Sequence, residues 1–222
     1  MWQVGLDVPG PALEAAAALL TPDELARADR GTATVRRRTI VLRAALRCVL
    51  GRVLDCAPGE VPLVTTAYGR PCLDELRWDL NCTGSDDLGL IVVARGARVG
   101  IDLEPVAPWT DETAAEGWLS AAEVAALWAL PPEERAVAAT RCWTQKEAVL
   151  KAVGSGLSLP PADVPTFPGR ARIRSGPWAL APVRVPPGFV ATLACSVPLR
   201  TTGPAIVPRL LPDHLSTTGC HR

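Results

Sequence analysis

The sequence predicts an α+β protein made of two similar halves, each with helices packed on a small antiparallel sheet. Two long stretches, Thr34–Leu54 and one from Pro131 to about Val153, suit helices. Short strand-like runs bounded by Pro and Gly follow each of them. This order, helices and then antiparallel strands, occurs twice with a junction near Pro105–Pro108, a pseudo-twofold duplication in outline. The expected division is an N-terminal half over 1–105, a C-terminal half over 106–199 and a flexible tail over 200–222.

Each element has a local reason. The opening WQVGLDV alternates as a short strand and stops at Pro9-Gly10. Leu13–Leu20 is Ala-rich and helical, and Thr21-Pro22-Asp23-Glu24 then gives an N-cap, a first-turn proline and two acids. In Thr34–Leu54 the apolar residues Val35, Ile40, Val41, Ala44, Ala45, Val49 and Leu50 oppose a face carrying Arg36, Arg37, Arg38, Arg43, Arg47 and Arg52. Strands are expected around Arg77–Thr83, Leu88–Ala94 and Arg98–Glu104, the last two as a hairpin turning at Arg95-Gly96-Ala97. Ser120 and Glu123 have capping-box spacing at the start of a helix over Ser120–Leu130. Strands return at Ala171–Arg174, Trp178–Val185 and Phe189–Val197.

Composition narrows the function classes. The 222 residues carry 23 basic and 23 acidic side chains, and neutrality argues against a domain that grips bulk nucleic acid. No run approaches the ~20 apolar residues of a membrane span, and the N-terminus lacks the pattern of a secretion signal. The seven cysteines contain no CxxC pair, so buried thiols in a cytoplasmic protein are expected rather than zinc sites or disulfides. Of the 23 basic residues only Lys146 and Lys151 are lysine. An exposed ion pair such as Glu147–Lys151 would serve as well with Arg, so retained ammonium groups point to compact point charges for phosphate contact or proton handling.

Asp102 and Glu104 lie two apart in a strand, so both carboxylates face one side. Alone, that is a solvated strand end; with a cation between them it is oxygen ligation suited to Mg²⁺ and phosphates. Asn81-Cys82-Thr83-Gly84-Ser85 leaves a strand through small polar residues able to meet phosphate oxygens, and Tyr68-Gly69-Arg70-Pro71 is a turn bearing a cation.

Taken in order, GRP, NCTGSDD, VGIDLE and WTQKEAVLKAVGSGLSLP resemble the signature of the Sfp-type 4'-phosphopantetheinyl transferases. GIDLE precedes WTQKEAVLK by about forty residues, and the likeness spans Tyr68 to Pro160. It implies transfer of the phosphopantetheine arm of coenzyme A to a serine of an apo acyl or peptidyl carrier protein, in fatty acid, polyketide or nonribosomal peptide synthesis, releasing 3',5'-ADP. By the same resemblance Asp102, Glu104 and Glu147 would hold Mg²⁺, Lys151 would touch the phosphates, and Lys146 would lie at the same site. Gly69, Arg70 and Pro71 would flank the adenine, and Arg38 and Thr39 the 3'-phosphate. Thr83, Gly84 and Ser85 would match a Ser-His-Ser motif, with glycine where the family has histidine. Arg36 or Arg37 could replace that histidine; otherwise the chain would be a catalytically weak coenzyme A-binding relative. A nucleic-acid-binding module on the Arg-rich helix face is a remote alternative. Glu147 is the expected base for the carrier serine, with Asp102 and Lys151 completing the catalytic set and Glu123 the other candidate base. The Trp118–Trp128 stretch could seat a carrier helix or simply pack in the core. A monomer with no membrane partner is expected.

Overall fold

The computed structural model describes residues 1–67, 69–73, 77–154, 159–166, 170–173, 176–199, 206 and 209–210. The chain begins with β1 (Trp2–Gly5), α1 (Gly10–Ala17), α2 (Pro22–Ala28) and α3 (Ala33–Leu54). At the start of α2 the Thr21 hydroxyl accepts from the Glu24 N–H while Glu24 accepts from the Thr21 N–H, a reciprocal cap. Thr32 caps α3, and Asp55, at φ 56°, ends it in the left-handed region. A small hairpin, β2 (Leu63–Thr65) and β3 (Pro71–Leu73), precedes the antiparallel pair β4 (Trp78–Ser85) and β5 (Leu88–Arg95). Then come β6 (Val99–Pro105), α4 (Asp111–Ala115), α5 (Ala121–Trp128), α6 (Pro132–Val153), β7 (Arg170–Ile173), β8 (Gly176–Val183), β9 (Phe189–Cys195) and β10 (Arg209–Leu210).

Mixed helices and small antiparallel sheets are as expected. The strand order β1-β5-β4 in one sheet is matched by β6-β9-β8 in the other, each sheet carrying a 22-residue helix between its first strand and the rest. On the first sheet, Val41, Ala45, Leu46, Val49 and Leu50 of α3 bury against Leu80 and Ile91. On the second, Ala148, Val149 and Ala152 of α6 bury with Trp178 and Ala194.

Three expectations are corrected. β5 and β6 form no hairpin: β5 lies between β1 and β4, whereas β6 pairs with β9. Gly96, at φ 71°, turns the chain from one sheet into the other. The topological repeat therefore divides at Gly96–Ala97 and not at Pro105. Within 200–222, Arg209–Leu210 extend the first sheet beside β1 and Ile206 bridges Val183, so this part is built into the fold; the rest of that tail lies outside the described residues, as does Tyr68.

The sheets meet at β4 and β6 without a shared backbone ladder. Side chains of β4 serve the free edge of β6 instead: Asp79 accepts from the Val99 N–H at 2.7 Å and Asn81 from the Ile101 N–H at 3.2 Å. Arg70 enters the same seam, donating to Asp79 at 2.8 Å, to the Leu80 carbonyl at 3.0 Å and to the Val99 carbonyl at 3.1 Å.

Candidate active site

Asp102 and Glu104 stand on β6, and α6 crosses directly over that strand. Gly100 makes the crossing possible: a Cβ there would lie 2.0 Å from the Ala148 carbonyl oxygen and 2.6 Å from the Ala152 nitrogen. With glycine on the strand and Ala148 and Ala152 on the helix, α6 settles close enough to bring Glu147 and Lys151 to the two acids. The sequence reading gave this glycine no task; its signal was the paired small residues in VGIDLE and KEAVLKA.

Asp102 is buried, and its Oδ1 meets the Lys151 ammonium at 2.5 Å. Lys151 also donates to the Thr83 hydroxyl at 3.2 Å, which ties β4 of the first half to the two charged groups of the second. Asp102 Oδ2 is buried with no hydrogen-bond partner among the described residues. Burial raises the pKa of Glu147, and the Asp102 charge adds to that effect against the opposing pull of Lys151. Burial also raises that of Glu104, with the Asp102 charge adding to it and the Lys151 ammonium and the nearby Trp143 opposing it.

Three carboxylates thus share one site with a single ammonium. Among the described residues, no three acidic, His or Cys groups already close into a metal cage. The donor set nevertheless suits a hard divalent cation: oxygens only, two acids destabilised by burial and by the Asp102 charge, and one buried oxygen without a hydrogen-bond partner among the described residues. Beside Glu104 opens a cavity of about 550 Å³, bordered by Trp118, Trp143, Thr140 and Pro161. Trp118 sits edge-on to Trp143 with ring centroids 5.2 Å apart, so it serves as wall packing, while Trp128 is 37% exposed.

A second cavity, of about 510 Å³, lies in the first half between α2, α3 and β2. Thr39 lines it with Arg27, Arg30 and Arg43 and with Asp23 and Glu24; Arg43 Nε lies 3.8 Å from Glu24, while its Nη1 is buried with no hydrogen-bond partner among the described residues. Gly69 belongs beside it, since a Cβ there would come 3.2 Å from Arg27 Nη1. Sequence reasoning missed Arg27, Arg30 and Arg43, because Arg27 at the end of α2, Arg30 in the turn after it and Arg43 on α3 share a pocket that only tertiary packing makes.

Other expected site residues stand elsewhere. Arg38 points away from Thr39 and pairs with Asp87 at 3.1 Å; neighbouring helix positions face about 100° apart. Arg36 and Arg37 pair with Asp29 and Asp7. The Arg70 guanidinium fills the seam, and Pro71 is buried in β3, leaving Gly69 at the pocket. Gly84 is exposed on the opposite side of β4 from Thr83, its Cβ direction meeting Leu6 Cδ1 at 3.0 Å and Leu42 Cδ2 at 3.4 Å. Ser85, half-buried, ends β4 opposite Leu88.

Lys146 is not at the phosphate site. It is fully buried, with its ammonium 2.8 Å from Glu123 and donating to the Pro161 and Val164 carbonyls. Glu123 is likewise no base. Burial pushes its pKa up, but hydrogen bonds from Lys146, Ser120 and Thr166 outweigh this and hold it below the usual carboxylate range. Position 146 faces the inside of α6 because it follows Cys142 by four residues and Thr166 meets that same face, 3.4 Å from Cys142 Sγ.

A family model described as the 4'-phosphopantetheinyl transferase superfamily matches residues 98–180. The chain is 34% identical to the 4'-phosphopantetheinyl transferase HetI of Nostoc sp., over 87% of this chain and 86% of the relative. It is 29% identical to the 4'-phosphopantetheinyl transferase Sfp of Bacillus subtilis over 55% of this chain and 54% of that one. Among solved structures, the holo-[acyl-carrier-protein] synthase of Thermotoga maritima aligns at 22% identity with a TM-score of 0.33, covering 44% of this chain and 61% of that one.

Proposed function

The chain belongs to the 4'-phosphopantetheinyl transferase superfamily, and on that footing we propose that it moves the phosphopantetheine arm of coenzyme A onto a serine of an apo acyl or peptidyl carrier protein. In that reaction the serine oxygen bonds to the phosphorus bearing the pantetheine arm. The bond from that phosphorus to the bridging oxygen breaks, and 3',5'-ADP leaves. The observation that carries the reading is the convergence of Asp102, Glu104, Glu147 and Lys151 across β6 and α6, with Asp102 Oδ2 unpartnered among the described residues.

Asp102, Glu104 and Glu147 would hold Mg²⁺. When bound it supplies neutralisation of the pyrophosphate charge as the bridging oxygen departs. Lys151, oriented by Asp102 and Thr83, places its ammonium against the phosphate oxygens. Glu147, on the face of α6 beside Asp102 and Lys151, is the residue assigned to accept the serine proton. Trp143 walls the cavity beside Glu104. Arg27, Arg30, Arg43 and Thr39 hold the anionic nucleotide end, with Gly69 allowing the turn to approach it.

The partners in this reading are coenzyme A and the carrier, with neither nucleic acid nor membrane. No helix among the described residues is long and apolar enough to cross a bilayer. Both sheets that frame the site come from one chain, which supports a monomer, acting in the cytoplasm. Incubation with coenzyme A, Mg²⁺ and a panel of apo carriers, followed by intact-mass analysis, tests the proposal. A gain of one phosphopantetheine arm is expected. No gain on any carrier refutes it, and retained coenzyme A binding in that case identifies the catalytically weak relative that Gly84 suggests.

A further inference from the structure

Lys146 is one of two lysines in the chain, and it is wholly enclosed. Its ammonium has three acceptors for three protons: Glu123 Oε2 at 2.8 Å, the Val164 carbonyl at 2.8 Å and the Pro161 carbonyl at 3.0 Å. A planar guanidinium on a longer stem does not supply that compact tripod. Glu123, 4% exposed, is equally committed. Its Oε2 accepts from the Ser120 N–H and hydroxyl, both at 2.9 Å, and its Oε1 from the Thr166 N–H at 3.2 Å.

The pair therefore joins three parts of the chain: the first turn of α5, the middle of α6 and the segment 159–166. Within that segment the backbone makes only short 3₁₀ bonds, Asp163 N–H to Pro160 and Val164 N–H to Pro161, and Val164 and Thr166 anchor its far end in the core, so the Lys146 ammonium is the polar tie at Pro161 itself. Its Pro161 borders the cavity beside Glu104 and Trp143. Lys146 also immediately precedes Glu147, so the group that grips the cavity wall adjoins the proposed base on α6.

We propose that Glu123–Lys146 is a positioning pair that sets the Pro161 wall against Trp143 and so seats the acceptor protein's serine beside Glu104 and Glu147. This rests on the transferase reading above. It contributes nothing to the nucleotide pocket, whose lining at Thr39, Arg27 and Arg43 belongs to the other half.

The test is the double variant Lys146→Met/Glu123→Gln, which removes both charges together and keeps an amide oxygen for Ser120 and Thr166. Replacing both members of a buried pair avoids stranding one charge, so melting within a few degrees of wild type is expected. Amide exchange at Asp163 and Val164 should quicken. The KM for the carrier should rise about tenfold or more, as misplacement near 1 Å commonly costs, while the dissociation constant for coenzyme A stays within about twofold. A folded double variant with wild-type carrier KM overturns the proposal, as does an equal loss of coenzyme A binding. If wild-type protein transfers to no carrier, the transferase reading fails on its own, and unchanged exchange at Asp163 and Val164 still overturns the clamp. Should the double variant not fold, Pro161→Gly carries the same comparison, since it loosens the wall and leaves both charges paired.

Discussion

Replacing Gly100 by Ala adds one methyl group at the point where α6 rests on β6. The new Cβ would lie 2.0 Å from the Ala148 carbonyl oxygen, 2.6 Å from the Ala152 nitrogen and 2.9 Å from the Ala152 Cβ. Two of these are backbone atoms within a helix, so no rotamer change relieves the overlap. To reach even a tight contact of 3.0 Å, the helix must retreat by at least about 1 Å. Overpacking against side chains costs about 1–3 kcal/mol, and a backbone obstruction belongs at the top of that range or above it. At roughly 2–4 °C per kcal/mol for a chain of this length, melting should fall by about 6–12 °C. Glu147 and Lys151 retreat with the helix, so kcat/KM should drop about a hundredfold even where the variant is fully folded. A thermal melt by circular dichroism and carrier modification by intact mass at low temperature measure the two effects. A Gly100→Ala protein that melts and transfers like wild type refutes the claim that this close crossing builds the site.

Asp102→Asn keeps the shape but removes the charge that holds Lys151, so kcat should fall by about two to three orders of magnitude with no change in the circular dichroism spectrum. Arg43→Ala should weaken coenzyme A binding about tenfold to a hundredfold by calorimetry, since a charged hydrogen bond is worth ~1.5–3 kcal/mol, and it should leave the carrier KM unchanged. The raised pKa values of Glu104 and Glu147 mean that the unfolded chain binds fewer protons than the folded one between the ordinary value of 4.5 and the raised ones. Without Mg²⁺, stability should therefore decline as pH rises through that window; Glu147→Gln should flatten the decline, and Mg²⁺ should offset it. Denaturant melts across pH check this, and a rise in stability over the same window contradicts it.

Local chemistry explains which features could be read from the letters. Thr21, Ser120 and Pro132 mark helix starts because caps and first-turn prolines act within four residues. Asp102, Glu147 and Lys151 could be found because strand and helix periods place them on defined faces. Lys146 misled because its scarcity argued correctly for a compact ammonium, while its destination depends on where segment 159–166 lies. Arg38 misled in the other direction. A run of three cations looks like a site, yet each has an Asp from a distant part of the sequence or an adjacent turn. The Arg27–Arg30–Arg43 pocket and the Gly96 crossover are products of packing between segments, and no short-range pattern encodes them.

The matching strand orders β1-β5-β4 and β6-β9-β8 lie in one continuous polypeptide. Two identical subunits joined edge to edge would have to carry every feature in both copies, since one gene would specify both. Here each copy of the layout is free to specialise. The first keeps the arginine-lined pocket and contributes Thr83 to the acidic centre; the second keeps the carboxylates and has the Glu123–Lys146 pair. On the transferase reading, division of labour between the halves gives one centre per chain, and a change in the arginine-lined pocket need not disturb the half that holds the acids.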